Sequence, residues 1–203
     1  MNIILFWGLS ASLILNSTLA TYILIKKINN TAAFYYFLFV VAVVAHICGD
    51  LFFQLAGSLD KALPWIYLYW TGFIFMCVFF FLFATEFPRS RRVIFESEKT
   101  KLFVLIVPFF VLYAIFFSND FIRQINVSMT MVNSIEYGNL YGLVHLYMIL
   151  FLVGGYLLML LEYFRSVESD KKNIKLVSIG TFIAAFFGII GMGFYLKRWV
   201  LEN

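Results

Sequence analysis

The sequence predicts an all-α fold: a polytopic transmembrane helix bundle of six spans, with the N-terminus outside. Three observations lead there. Hydrophobic residues make up 63% of the 203 residues. Charged residues make up only 13%, where a soluble domain carries roughly a quarter. The apolar residues also gather into long runs, each near the ~20 residues that a helix needs to cross the hydrocarbon core.

The runs extend from Ile3 to Ile25, Ala32 to Ala56, Trp65 to Phe87, Leu102 to Phe117, Leu140 to Phe164 and Leu176 to Leu196. Their length excludes barrel strands, which are shorter and alternate apolar with polar residues. The first run has no basic segment before it and no small-residue cleavage site after it, so it reads as a retained helix and not a signal peptide. The fourth is the shortest and contains Pro108, which a spanning helix tolerates when neighbours satisfy the freed carbonyl. Helices in lipid associate through small residues and polar contacts. Gly8, Ser12 and Asn16 in the first run, and Gly180, Ala184 and Gly188 in the sixth, recur at four-residue spacing and are expected to face other helices. Gly154 and Gly155 in the fifth mark either a close approach or a bend.

Cytoplasmic loops collect Lys and Arg, which orients the bundle. With the N-terminus outside, Lys26, Lys27, Arg89, Arg91, Arg92, Lys99, Lys101, Arg165, Lys171, Lys172 and Lys175 fall inside. Only Lys61, Arg123, Lys197 and Arg198 fall outside, a split of 11 to 4 among the 15 basic residues. The formal net charge of +4 then describes a membrane face beside anionic head groups, and no basic patch suits nucleic acid. The expected location is the inner membrane of a bacterium.

The loops are too short to bury a core, so the whole chain, 1–203, is expected to be a single transmembrane helical domain. Only Ser118 to Asn139 is long. Its central "INVSMTMV" alternates apolar and polar residues, the pattern of a hairpin strand or a lid over the outer mouth, or else of a plain exposed connection. "GSLDKALP" reads as a turn. Asn126 opens an Asn-Val-Ser sequon.

Chemistry-bearing motifs are few. The two histidines are too few for the histidine clusters of membrane di-iron enzymes, and His46, His145 and Asp50 make a thin ligand set for zinc. No nucleophile elbow, phosphate loop or dinucleotide fingerprint is present. No enzyme activity, metal or cofactor is expected. Glu86 and Glu162 lie near helix ends beside Arg89 and Arg165, where snorkelling ion pairs account for them. Cys48 and Cys77 fall within spans and read as small core residues.

The unusual stretch is "VAHICGDLFFQLAG", Val44 to Gly57. His46, Asp50 and Gln54 are four apart and form one stripe on a helix. Ionisable groups facing lipid are expensive, so the stripe should face the bundle interior or a watery cavity. Asp50 lies roughly 9 Å below the outer end of its helix at 1.5 Å per residue, and His145 falls at a similar depth. Tyr137, Tyr141 and His145 share a stripe on the fifth run, and Trp65 and Tyr69 share one on the third. An apolar recess with a few convergent polar groups is what small-molecule recognition needs. Interfacial belts also use Trp and Tyr, and Trp65, Tyr137 and Trp199 suit that role. Asp50 and His145 serve either a ligand or proton-coupled role or a buried structural hydrogen bond.

The order of features resembles the N-terminal seven-transmembrane region of bacterial histidine kinases. The passages that carry the resemblance are the first helix through Asn16 and Tyr22 into "KK", the third from "WIYLYWTGFIF" to "FLFATEFPR", and the fifth from "YGLVHLYMILFLVGGYLL" into a basic loop. The resemblance implies a membrane region that senses a signal and passes it to cytoplasmic modules. The departures are a seventh helix missing after Leu196 and no kinase module after it, which suggests a truncated sensor or a stand-alone relative working through a protein partner. Under this reading Asp50, His145, Tyr69, Tyr141 and His46 line a site for a small ligand in the outer leaflet, and a homodimer is compatible. The alternative is a non-catalytic structural subunit of a larger membrane transport or secretion complex.

Overall fold

The computed structural model describes residues 3–27, 31–87, 98–118, 120–127, 134–168, 170–172, 174–175 and 177–179. The elements run α1 (Ile3–Lys27), α2 (Thr31–Leu55), α3 (Leu59–Glu86), α4 (Glu98–Phe117), β1 (Ile122–Asn126), β2 (Ser134–Tyr137) and α5 (Leu140–Arg165). By length and composition α2, α3, α5 and the Lys99–Phe117 part of α4 are able to cross a membrane, and α1 has 25 residues. Of the expected sixth span only residues 177–179 are described, and its Gly180, Ala184 and Gly188 face lies outside the described residues. The chain divides into two compact units at Gly155 and Tyr156, within α5.

In the first unit, α2 packs most extensively on α3, and two glycines explain why. A Cβ on Gly49 of α2 would run into the backbone of Tyr69 and the Trp65 carbonyl of α3. A Cβ on Gly72 of α3 would run into the Ala42 carbonyl and the His46 backbone of α2. Each helix thus presents a gap to the other's main chain, the close approach by which helices in lipid gain van der Waals contact.

The α3 helix begins at Leu59, so Leu59 to Pro64 of the segment read as a turn lie within its first two turns. Ser58 precedes the helix with extended backbone (φ −152°, ψ 157°), and its carbonyl accepts from the Ala62 N–H at 3.0 Å. Asp60 in the first turn suits the positive end of the helix dipole. Pro64 lacks the N–H that would bond the Asp60 carbonyl, but Asp60, Lys61 and Pro64 are all exposed, so that carbonyl is not sealed in a core.

Val78 and Leu82 of α3 form a buried cluster with Val104 of α4, flanked by Tyr147 and Phe151 of α5. The α4 helix continues through Pro108, which is buried. Glu86 pairs with Lys101 of α4 at 2.7 Å, both side chains nearly buried. The partner expected from sequence was Arg89, which lies outside the described residues. The neighbouring helix supplies a cation that sequence proximity does not reveal.

Gly154 and Gly155 mark close approach and not a break, since α5 runs unbroken from Leu140 to Arg165. A Cβ on Gly155 would meet the Phe80 ring at 2.8 Å, and Gly154 lies against Phe81. On the Gly8 face, a Cβ at Gly8 meets nothing within 4 Å among the described residues. Asn16 turns back on its own helix, its Nδ2 donating to the Ser12 carbonyl at 2.8 Å. It is Ala20 that packs, with Val40 of α2.

The long loop forms an antiparallel hairpin, pairing Asn126 with Ser134, Ile125 with Ile135, Gln124 with Glu136 and Ile122 with Tyr137, with a bulge between Ile122 and Gln124. Residues 128–133, most of the alternating stretch, lie outside the described residues. The base is tied where the Gly138 N–H donates to the Phe121 carbonyl (2.9 Å) and the Leu140 N–H to the Asp120 carbonyl (3.2 Å). Glycine is needed there because a Cβ on Gly138 would strike the Asp120 carbonyl. Asn126, of the sequon, is exposed and donates to Glu136 at 3.1 Å.

In the second unit, the Ser166 N–H donates to the Glu162 carbonyl at 2.9 Å. A further turn begins where Asp170 and Lys171 donate to the Val167 carbonyl. Lys171 makes an i,i+3 contact with Glu168 at 3.6 Å.

Candidate functional site

The site is built around Trp70 of α3, which is 1% exposed. Its indole meets rings from three directions. Phe121 and Tyr137 of the hairpin stand edge-on to it at 4.8 and 5.6 Å. Tyr141 and His145 of α5 do the same at 6.2 and 6.0 Å. On its own helix, Tyr69 and Phe73 lie at 5.3 and 5.9 Å. Perpendicular rings place positive edges on negative faces, the arrangement aromatic quadrupoles favour. Phe121, fully buried, seats the hairpin on this cluster.

Both histidines join the cluster. The His46 ring lies 4.3 Å from Tyr69 and 5.0 Å from Phe73, and Phe73 in turn lies 6.5 Å from His145. His46 Nδ1 is 3.2 Å from the Tyr69 carbonyl, and His145 Nδ1 is 2.9 Å from the Tyr141 carbonyl. A carbonyl only accepts, so each Nδ1 carries the hydrogen and each neutral ring keeps Nε2 as an acceptor. One polar atom stands out. Trp70 Nε1 is buried and has no hydrogen-bond partner among the described residues, in a position where an unmet donor is costly.

Of the residues singled out by sequence, Tyr69, Tyr141, His145 and His46 come together around Trp70 and Phe73. Asp50 is not joined to His145 by any described hydrogen bond or ion pair. Its described polar contact is Gln54 Nε2 at 3.5 Å, one turn along the same helix. Tyr137 belongs to β2 and not to α5, which begins at Leu140, yet the expected stripe persists. Tyr137 stacks on Tyr141 at 4.2 Å and Tyr141 contacts His145 at 3.9 Å. The hairpin turns the Tyr137 ring onto Trp70. Trp65 stacks on Phe52 at 4.4 Å, and Trp199 lies outside the described residues.

Sequence reading missed Trp70, Phe73 and Phe121. The available signal was the spacing of Trp70 one residue from Tyr69 and two from Gly72, which is weak in a chain where 21% of residues are aromatic. Among the described residues, no group of three or more His, Cys, Asp or Glu side chains is placed to hold a metal ion.

Comparison with curated proteins and with solved structures gives no match. The profile of one family, the N-terminal 7TM region of histidine kinase, matches residues 8–199. That region is the membrane sensory part of such kinases and not their catalytic module. With a match over nearly its whole length and apolar helices of spanning size, the chain is an integral membrane protein that belongs to the family of N-terminal 7TM regions of histidine kinase.

Proposed function

We propose that the chain receives its signal at the hairpin-capped cluster around Trp70, by binding a small molecule there, and relays it to a signalling partner at the opposite end of the helices. One observation carries this reading: a single buried indole, whose N–H has no hydrogen-bond partner among the described residues, is touched at once by α3, by the hairpin and by α5. A molecule that meets that N–H and displaces one ring changes the seating of the other two elements on α3. Ligands act by binding one arrangement better than another, and this cluster offers the difference.

Tyr69, Tyr141, His46, His145 and Asp50 are the residues assigned to the site in this reading; Asp50's described polar contact is Gln54 on its own helix. The N-terminus and the hairpin face outside and the Glu86–Lys101 end faces the cytoplasm of a bacterial inner membrane, in keeping with the 11 to 4 split of basic residues. The chain works as one transmembrane domain.

The test is complementation of a deletion strain, read as the transcript profile. Trp70→Phe and His145→Ala should reach wild-type levels in the membrane and fail to restore the profile. Full restoration by both variants would refute the assignment of the site.

A further inference from the structure

We propose that the Trp70 cluster binds a planar hydroxyaromatic molecule, a phenol or hydroquinone, whose place is taken in the structure by the Tyr137 ring of the hairpin. The inference rests on the sensor reading above and names the ligand class for the same site.

Tyr137 is a phenol delivered by a separate element. It stacks on Tyr141 at 4.2 Å with 23° between the rings, and stands at 87° to Trp70 at 5.6 Å. Tyr137 lies at the base of the hairpin, paired with Ile122 and next to the Gly138 bond to the Phe121 carbonyl, so its ring leaves by turning about its own side-chain torsion or when that base opens. What remains is a slot with an aromatic floor (Tyr141) and an aromatic wall (Trp70). Such a slot accepts any flat ring, and the polar atoms select among them. Trp70 Nε1 requires an acceptor. His145, 6.0 Å away between ring centres, offers Nε2 as an acceptor that a donor on the same ring can use, because its Nδ1 is committed to the Tyr141 carbonyl. A hydroxyl on a ring is both acceptor and donor. A hydrocarbon meets neither demand, and a quinone carbonyl meets only the first. The hydroxyaromatic arrives either from water, as a simple phenol, or from the bilayer, as a hydroquinone head group.

The test uses the full chain in lipid nanodiscs with 15N-labelled tryptophan, the Trp70 indole resonance being assigned by its loss in Trp70→Phe. p-Cresol should move that resonance downfield in a saturable manner, whereas toluene, which has the same shape without the hydroxyl, should not. In Tyr137→Ala the tethered competitor is gone and p-cresol should bind about tenfold more tightly, since a binding-competent state that is seldom populated weakens apparent affinity in proportion. If Tyr137→Ala does not fold, Tyr137→Phe should show a smaller tightening. A decyl-substituted hydroquinone placed in the bilayer that outcompetes p-cresol identifies the membrane source, and equal competition identifies the aqueous one. An equal response to toluene, no response to p-cresol in either protein, or unchanged affinity in both Tyr137 variants would overturn the proposal. The transcript profile of the same variants separates the two readings. A changed profile without phenol binding removes the ligand class alone, and phenol binding without a changed profile removes the sensory role of the cluster.

Discussion

A tryptophan in the middle of a membrane helix has one polar atom to satisfy, and at Trp70 that atom is sealed among rings. Trp70→Phe retains most of the packing and removes the unmet donor. Its thermal midpoint in detergent should stay within about 1 kcal/mol of wild type, whereas Trp70→Ala should cost ~3 kcal/mol through the cavity it opens. The glycines behave oppositely to one another. Gly49→Ala pushes a methyl into the Tyr69 backbone and should cost about 1–3 kcal/mol as overpacking. Gly8→Ala meets open space among the described residues and should leave the midpoint unchanged or slightly raised, since alanine favours helix. At this scale the sequence showed which residues were out of place in an apolar run, His46, Asp50 and His145, because a titratable group in lipid is conspicuous. It did not show Trp70, because a buried aromatic looks like every other aromatic until its neighbours are known.

The elements are held by different kinds of contact. Glycines let the α2 and α3 backbones meet, rings join α3 to α5, and a charge pair ties α3 to α4. Lys101→Met strands the Glu86 carboxylate in a nearly buried place and should cost about 3–5 kcal/mol. The double change Glu86→Leu with Lys101→Met should recover most of that loss, as measured by the thermal midpoint. The hairpin depends on its base. Gly138→Ala, which meets the Asp120 carbonyl, should raise hydrogen exchange through β2 while leaving α2 and α3 unaffected. Helix ends were legible from apolar run length to within two residues at most ends. The start of α3 was not, because Asp60, Lys61 and Pro64 read as loop residues, while the bond of the Ala62 N–H to the Ser58 carbonyl and the burial of Ala62 carry the helix through them. Alternation in the long loop suggested a strand, and the register of its two arms is given only by the structure.

At the scale of the whole molecule, α2 and α3 meet through their backbones and α3 meets α5 through rings. A reporter enzyme active only outside the cytoplasm should work when inserted after Val127 and fail when inserted after Arg92. The reverse pattern would invert the proposed orientation. Apolar run length and the sparsity of charge carried the membrane-spanning, helical architecture without any coordinates, because partition into lipid acts on each segment separately. Which faces meet was not available in that way. Lipid tails are as apolar as the side chains, so hydrophobicity does not mark the inward face of a spanning helix. The Gly49 and Gly72 approach, the Glu86–Lys101 pair and the convergence on Trp70 all arise from contacts between segments distant in sequence, and only the folded arrangement brings them together.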